Sequence, residues 1–159
     1  MAKITKAYMR TRDIDWFCCV NNKPAHFASF RGLLPKSVND REFLMRIQQY
    51  VHELPDLPYP VIINHEFVNS KFGGVNEHED VITEYLAAFE KFARKGLMSF
   101  DKYDLANPND NRYVLVAWSE SPVEFRLNIN LPLNMHAEGI EIEDMEVPHV
   151  VDISEYIGR

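Results

Sequence analysis

The sequence of 159 residues predicts an α+β domain, with a mainly antiparallel sheet of about five or six strands packed against two amphipathic helices. Three observations carry the prediction. Residues 13–32 read as two strands meeting at a tight turn, two later stretches repeat apolar residues at helical spacing, and beyond Gly96 the period returns to that of strands.

The hairpin from Asp13 to Gly32 comes first. Ile14, Trp16, Cys18 and Val20 alternate with Asp15, Phe17 and Cys19, so one face is wholly apolar and the other nearly so. A strand of that kind lies well inside a sheet or is covered on both sides. Asn21 and Asn22 tolerate the left-handed backbone of a hairpin turn, and Pro24, without an N–H, suits the start of an edge or the end of a loop. The return strand spans roughly Ala25 to Arg31. Loops of two, three or four residues set His26 opposite Phe17, Cys18 or Cys19 respectively, and the sequence leaves this register open.

Asn39 with Glu42 has capping-box spacing. Phe43, Leu44, Ile47, Val51 and Leu54 follow as one helical stripe that ends before Pro55. The prolines of Pro55–Pro60 turn the chain extended, Val61–Asn64 reads as a short strand, and His65–Phe72 is ambiguous between a helical turn and an extended piece. Asn76 with Glu79 repeats the cap spacing. A second helix, about Glu79 to Lys95, carries Ile82, Tyr85, Leu86, Phe89, Phe92 and Ala93 on one stripe, with Gly96 as its stop. Leu97–Tyr103 and Tyr113–Trp118 read as strands around a polar loop at Asp104–Asn111. Val123, Phe125, Leu127 and Ile129 alternate with polar residues as a one-sided strand, Leu131–Gly139 reads as a loop, and Val150–Ile153 as a last short strand. No repeat or linker divides the chain, so residues 1–159 are expected to form one domain.

With 46% apolar and 12% aromatic residues, such a chain buries roughly 70% of its extended surface. Its longest apolar runs, Trp16–Val20 and Val114–Trp118, fall far short of a membrane span, and no signal-peptide block follows the basic N-terminus. The adjacent Cys18 and Cys19 make a poor disulfide framework and suit a reducing compartment, so a cytoplasmic location is expected.

The net charge of −7 is unevenly placed. Glu138, Glu141, Glu143, Asp144, Glu146, Asp152 and Glu155 fall in residues 127–158, which hold no Lys or Arg, so the last fifth of the chain carries the whole excess. The first twelve residues carry Lys3, Lys6, Arg10 and Arg12 and no acid. An acidic segment of this kind disfavours nucleic acid and anionic membranes as partners and favours a basic protein surface.

Candidate chemistry is sparse. Cys18 or Cys19 with His26 has the composition of a thiolate–imidazole nucleophile, which defines the enzymatic alternative, but both thiols lie in an apolar strand where cysteine behaves as a small hydrophobe. The six histidines show no helical metal spacing, the oxygen-rich run Asp101–Asp110 lacks the Gly and terminal Glu of a calcium loop, and no phosphate-binding loop is present. No metal and no cofactor are therefore expected. The partner-binding candidates are Glu138, Glu141, Glu143, Asp144 and Glu146, with Ile140, Ile142 and Met145 interleaved as apolar anchors. Two other accounts of that segment stand beside this one, the protection of an exposed sheet edge by charge and internal neutralisation by the basic N-terminus.

At the level of class, a small acidic α+β chain of this kind is similar to the immunity proteins that neutralise bacterial toxins, an analogy that rests on no motif. It implies a non-enzymatic module whose acidic C-terminal region meets a basic partner. A scaffold or homo-oligomer subunit, its edge strand completed by another copy, is the third reading.

Overall fold

The computed structural model describes residues 2–73, 79–120, 130–142 and 145–157. A short helix α1 (Lys6–Met9) precedes the hairpin β1 (Asp15–Val20) and β2 (Lys23–Ala28). Then come α2 (Arg41–Glu53), β3 (Val61–Ile63), α3 (His65–Phe72), α4 (Glu79–Ala93), β4 (Met98–Lys102) and β5 (Arg112–Ser119). The chain closes with β6 (Asn134–Met135), β7 (Gly139–Ile142), β8 (Met145–Pro148), β9 (Val150–Asp152) and α5 (Ser154–Ile157). The fold is α+β, as predicted. The main sheet has seven strands in the order β3-β5-β4-β2-β1-β6, with β9 also pairing β5, while β7 and β8 form a separate two-stranded ribbon. Most pairs are antiparallel, but β2 runs parallel to β4 and β1 parallel to β6.

The hairpin register is the two-residue one. Asn21 and Asn22 both take positive φ, 51° and 65°, and the ladder sets Phe17 opposite His26, Cys18 opposite Ala25 and Cys19 opposite Pro24. Both central residues left-handed is the turn whose twist matches the flanking strands. Of the two places expected for Pro24, the start of an edge and the end of a loop, the edge does not hold, because β2 lies inside the sheet between β1 and β4 and Pro24 sits just after the turn. Counting from the turn, Cys19 and Pro24 form a pair whose N–H groups face away from each other, and the β4 ladder begins only at Ala25. The missing donor of Pro24 therefore removes no ladder bond.

The turn also has a second task. The Asn21 amide donates to Ala137 O (2.9 Å) while its Oδ1 accepts from Ala137 N (3.0 Å), and Asn134 exchanges hydrogen bonds with Asn22. These clasps, with Cys19 N donating to Leu133 O, build β6 in a segment that sequence patterning reads as a loop. Two residues of strand are too few to show a period, and their pairing is wholly long-range.

Aromatic rings join four strands across one face. Trp16 stacks on Phe27 (centroids 4.3 Å) and Phe27 on Phe100 (4.7 Å), each pair being lateral neighbours in the sheet, and Tyr113 meets Trp16 and Phe27 edge-on. All four are fully buried, and Phe27 and Phe100 each contribute about 1.5–3 kcal/mol by leaving water. On the other face α4 lays Phe89 and Ala93 against Ala28, Val116 and Ala117. A bulge between Ser99 and Phe100 locally shifts the β4–β5 register.

Helix α2 starts one residue later than its sequence suggests. Asp40, not Asn39, is the N-cap, with Oδ1 accepting from Glu42 N and Phe43 N at 3.1 and 3.3 Å. Asn39 is engaged elsewhere, exchanging two hydrogen bonds with the backbone of Ile4 and so tying the N-terminal segment to the domain. The ambiguous His65–Phe72 is helix α3, capped by Asn64 Oδ1 and ended by Gly73 at φ 69°. Its burial is confined to Val68, which explains the weak sequence signal. The expected strand Val123–Asn130 lies outside the described residues apart from Asn130, which is in no strand, and the cap at Asn76 also lies outside them.

Candidate functional site

The acidic residues are distributed around the β7–β8 ribbon. Glu138 is exposed and directly follows Ala137, which the hairpin turn clasps. The ribbon register sets Glu141 across from Glu146, while Glu143 and Asp144 lie outside the described residues. Part of the basic N-terminus is engaged elsewhere, since Arg10 donates to Pro108 O (2.7 Å) and Asn109 Oδ1 (2.9 Å). Among the acids whose side chains are described, Glu138, Asp152 and Glu155 form no ion pair with the first twelve residues.

The Cys18, Cys19 and His26 group resolves differently from its composition. The register sets neither thiol opposite the imidazole. Burial pushes the Cys18 thiol well above its ordinary pKa, with the neighbouring Cys19 adding to the effect, and burial raises Cys19 as well. Cys18 is fully buried and Cys19 partly so. Alkylation at neutral pH is accordingly expected to modify Cys19 slowly and Cys18 only on unfolding, read by mass spectrometry with and without denaturant. Rapid native labelling of Cys18 would contradict its burial.

His26 instead bridges two oxygens. Its Nε2 lies 2.7 Å from Asp15 Oδ1 and its Nδ1 2.7 Å from Ser99 Oγ, while its ring stacks on Phe92 at 3.7 Å. An ionised carboxylate only accepts, so Nε2 carries the proton and the Ser99 hydroxyl donates to Nδ1. Burial lowers the His26 pKa against the upward pull of Asp15, keeping the ring neutral. Burial also draws Asp15 upward, but the His26 hydrogen bond and charge, aided by Lys91, outweigh it and lower the pKa. The three side chains have the composition of an acyl-transfer triad turned inside out. Ser99 is 0% exposed, and the Asp15 side chain, at 42%, is the end that meets water. In a working triad the serine faces the substrate and the carboxylate is buried. Here the group fixes the imidazole and orients Asp15.

Asp101 forms a second buried polar centre. It accepts from Tyr85 OH (2.6 Å) and Lys71 Nζ (3.1 Å) through Oδ2 and from its neighbour's N–H, Lys102 N (2.8 Å), through Oδ1. Burial raises the Tyr85 pKa, and the adjacent carboxylate raises it further, so the phenol stays a donor. The Lys71 ammonium lies 4.4 Å from the Tyr85 ring centroid. The sequence does hold one clue to both centres, since Ser99 and Asp101 are polar at alternate positions and interleave with the apolar Met98 and Phe100.

A stability–pH curve reports on these groups. A His26 pKa below its unfolded value of 6.5 means that the unfolded chain binds the proton first, so stability is fully present above pH 6.5 and declines as pH falls below it. Asp15 acts in the same direction at lower pH, its contribution being lost below the ordinary carboxylate value of 3.8. Asp13 acts oppositely, because burial raises its pKa and acid relieves that cost. Urea titrations between pH 7 and 5 are expected to show falling stability, with His26→Gln flattening the slope. An unchanged slope in that variant would contradict the assignment.

No protein-family model matches the chain, and no curated protein or solved structure matches it. Among the described residues no three His, Cys, Asp or Glu side chains converge as a metal-binding group, and no helix is long and apolar enough to cross a membrane.

Proposed function

We propose that this protein is a non-enzymatic protein-binding module that presents its acidic C-terminal region to a basic partner surface, in the manner of an immunity-type inhibitor of a bacterial toxin. The observation that carries the reading is the β7–β8 ribbon, paired to itself outside the main sheet with Glu141 and Glu146 at one rung. Its approach is rooted on a rigid support through the clasp between the Asn21–Asn22 turn and residues 134–137. Charge concentrated there steers a basic partner into register and gives the encounter its rate.

The test is comparative capture from an extract of the native cell, using the immobilised wild-type chain and a variant carrying Glu138→Lys, Glu141→Lys and Glu146→Lys. The reading expects a basic protein held by the wild type, released by salt and not held by the variant. A partner retained equally by both, or indifferent to salt, overturns it.

A further inference from the structure

A cleft of about 630 Å³ lies between α1, α2, α4 and the start of β1, on a part of the molecule that the acidic ribbon does not line. Its volume lies in the range of small-molecule sites. The floor is apolar, formed by Phe17, Leu44 and Phe92, while Tyr8 and Met45 stand at 42% and 64% exposure along it. These are two of only five large apolar side chains exposed among the described residues, and one cleft holds both.

The charge in this cleft opposes that of the chain. Arg12, Arg41, Lys91 and Lys95 line it against Asp13 and Asp15, a formal excess of positive charge on a protein of net charge −7. Several of these charges are already engaged. Asp15 is held by His26 and offset by Lys91, Asp13 accepts from Phe30 N (3.0 Å), and Lys95 donates to the carbonyls of His52 and Leu54. Arg12 and Arg41 remain, their guanidinium carbons 5.2 and 5.8 Å from the Tyr8 ring centroid, with no carboxylate in ion-pair range among the described residues. Two planar guanidinium groups beside an exposed phenol match an anion attached to a flat ring, because the forks grip phosphate or carboxylate oxygens while the ring shares the apolar wall.

We propose that this cleft binds a small aromatic anion, its ring against Tyr8, Met45 and the apolar floor and its phosphate or carboxylate on the Arg12–Arg41 pair. The site is independent of the acidic ribbon, so either reading stands without the other.

The probe is 1-naphthyl phosphate, titrated into the intact chain by calorimetry, with 1-naphthol, 1-naphthoate and inorganic phosphate as comparators. The expected result is saturable one-to-one binding of the naphthyl phosphate at least tenfold tighter than naphthol or inorganic phosphate. 1-Naphthoate is expected to share the advantage over naphthol if any anion serves, and to lose it if the site selects phosphate; both support an aromatic-anion cleft. Arg12→Gln with Arg41→Gln, both exposed, is expected to reduce naphthyl phosphate to the affinity of naphthol while leaving the thermal midpoint unchanged. The Glu138, Glu141 and Glu146 reversals are expected to leave this binding in place. Absence of saturable binding, naphthol binding as tightly as its phosphate, or full affinity in the double arginine variant overturns the proposal.

Discussion

Replacing Asp101 by alanine is expected to cost about 3–5 kcal/mol of stability, the range for breaking a buried charged pair from one side. The carboxylate is almost wholly buried and is the shared acceptor of Tyr85 OH, Lys71 Nζ and the Lys102 N–H. Its removal leaves a phenol and an ammonium group without their acceptor, and each then keeps its desolvation penalty without its hydrogen bond. Lys71 retains a little access to water, which places the loss toward the lower end of the range. Asp101→Asn keeps an acceptor for Tyr85 and is expected to lose less. Adding Lys71→Met to Asp101→Ala is expected to recover part of the loss, because the stranded charge goes with it. Urea denaturation with an unchanged m-value measures all three. A loss below about 1 kcal/mol in Asp101→Ala, the scale of an exposed pair, would contradict the buried network.

The second large effect concerns association. Changing Glu138, Glu141 and Glu146 to lysine adds two charge units at each position and moves the net charge from −7 to −1. If the acidic region steers a basic partner, the association rate of the purified pair falls by roughly tenfold or more, within the range that electrostatic steering spans. Lysine reversals of similar number at Glu42, Glu53 and Glu84, away from the ribbon, are expected to have a smaller effect, because they change net charge without changing the local field. Equal effects from both sets would reduce the acidic region to bulk charge.

Much of the fold was legible because it is written in local periods. The Trp16–Val20 strand, the α2 and α4 stripes and the Val114–Trp118 core strand carry enough apolar residues at fixed spacing to declare themselves. What stayed closed depended on distant partners. The cap of α2 passed from Asn39 to Asp40 because Asn39 is claimed by Ile4, which lies 35 residues away in the chain. The two parallel pairings, β2 with β4 and β1 with β6, leave no local trace. The His26 site shows the same limit in side chains. The nearby cysteines were the visible neighbours, whereas the actual partner Ser99 lies 73 residues further on. The two-residue turn then decided the register, and with it which side chains meet the imidazole.

Charge was the reverse case, visible in the sequence from the start. The structure adds a ribbon whose register brings Glu141 opposite Glu146 and a turn that clasps the segment leading into it. The central claim is that this region recruits a basic partner by electrostatic steering. The most direct test is the association rate of the captured partner, measured by stopped flow as ionic strength rises from about 0.01 M to about 0.1 M, which shortens the screening length from about 30 to about 10 Å. The account predicts a steep fall in the wild type and a nearly flat line in the triple lysine variant. A wild-type rate independent of salt would contradict it.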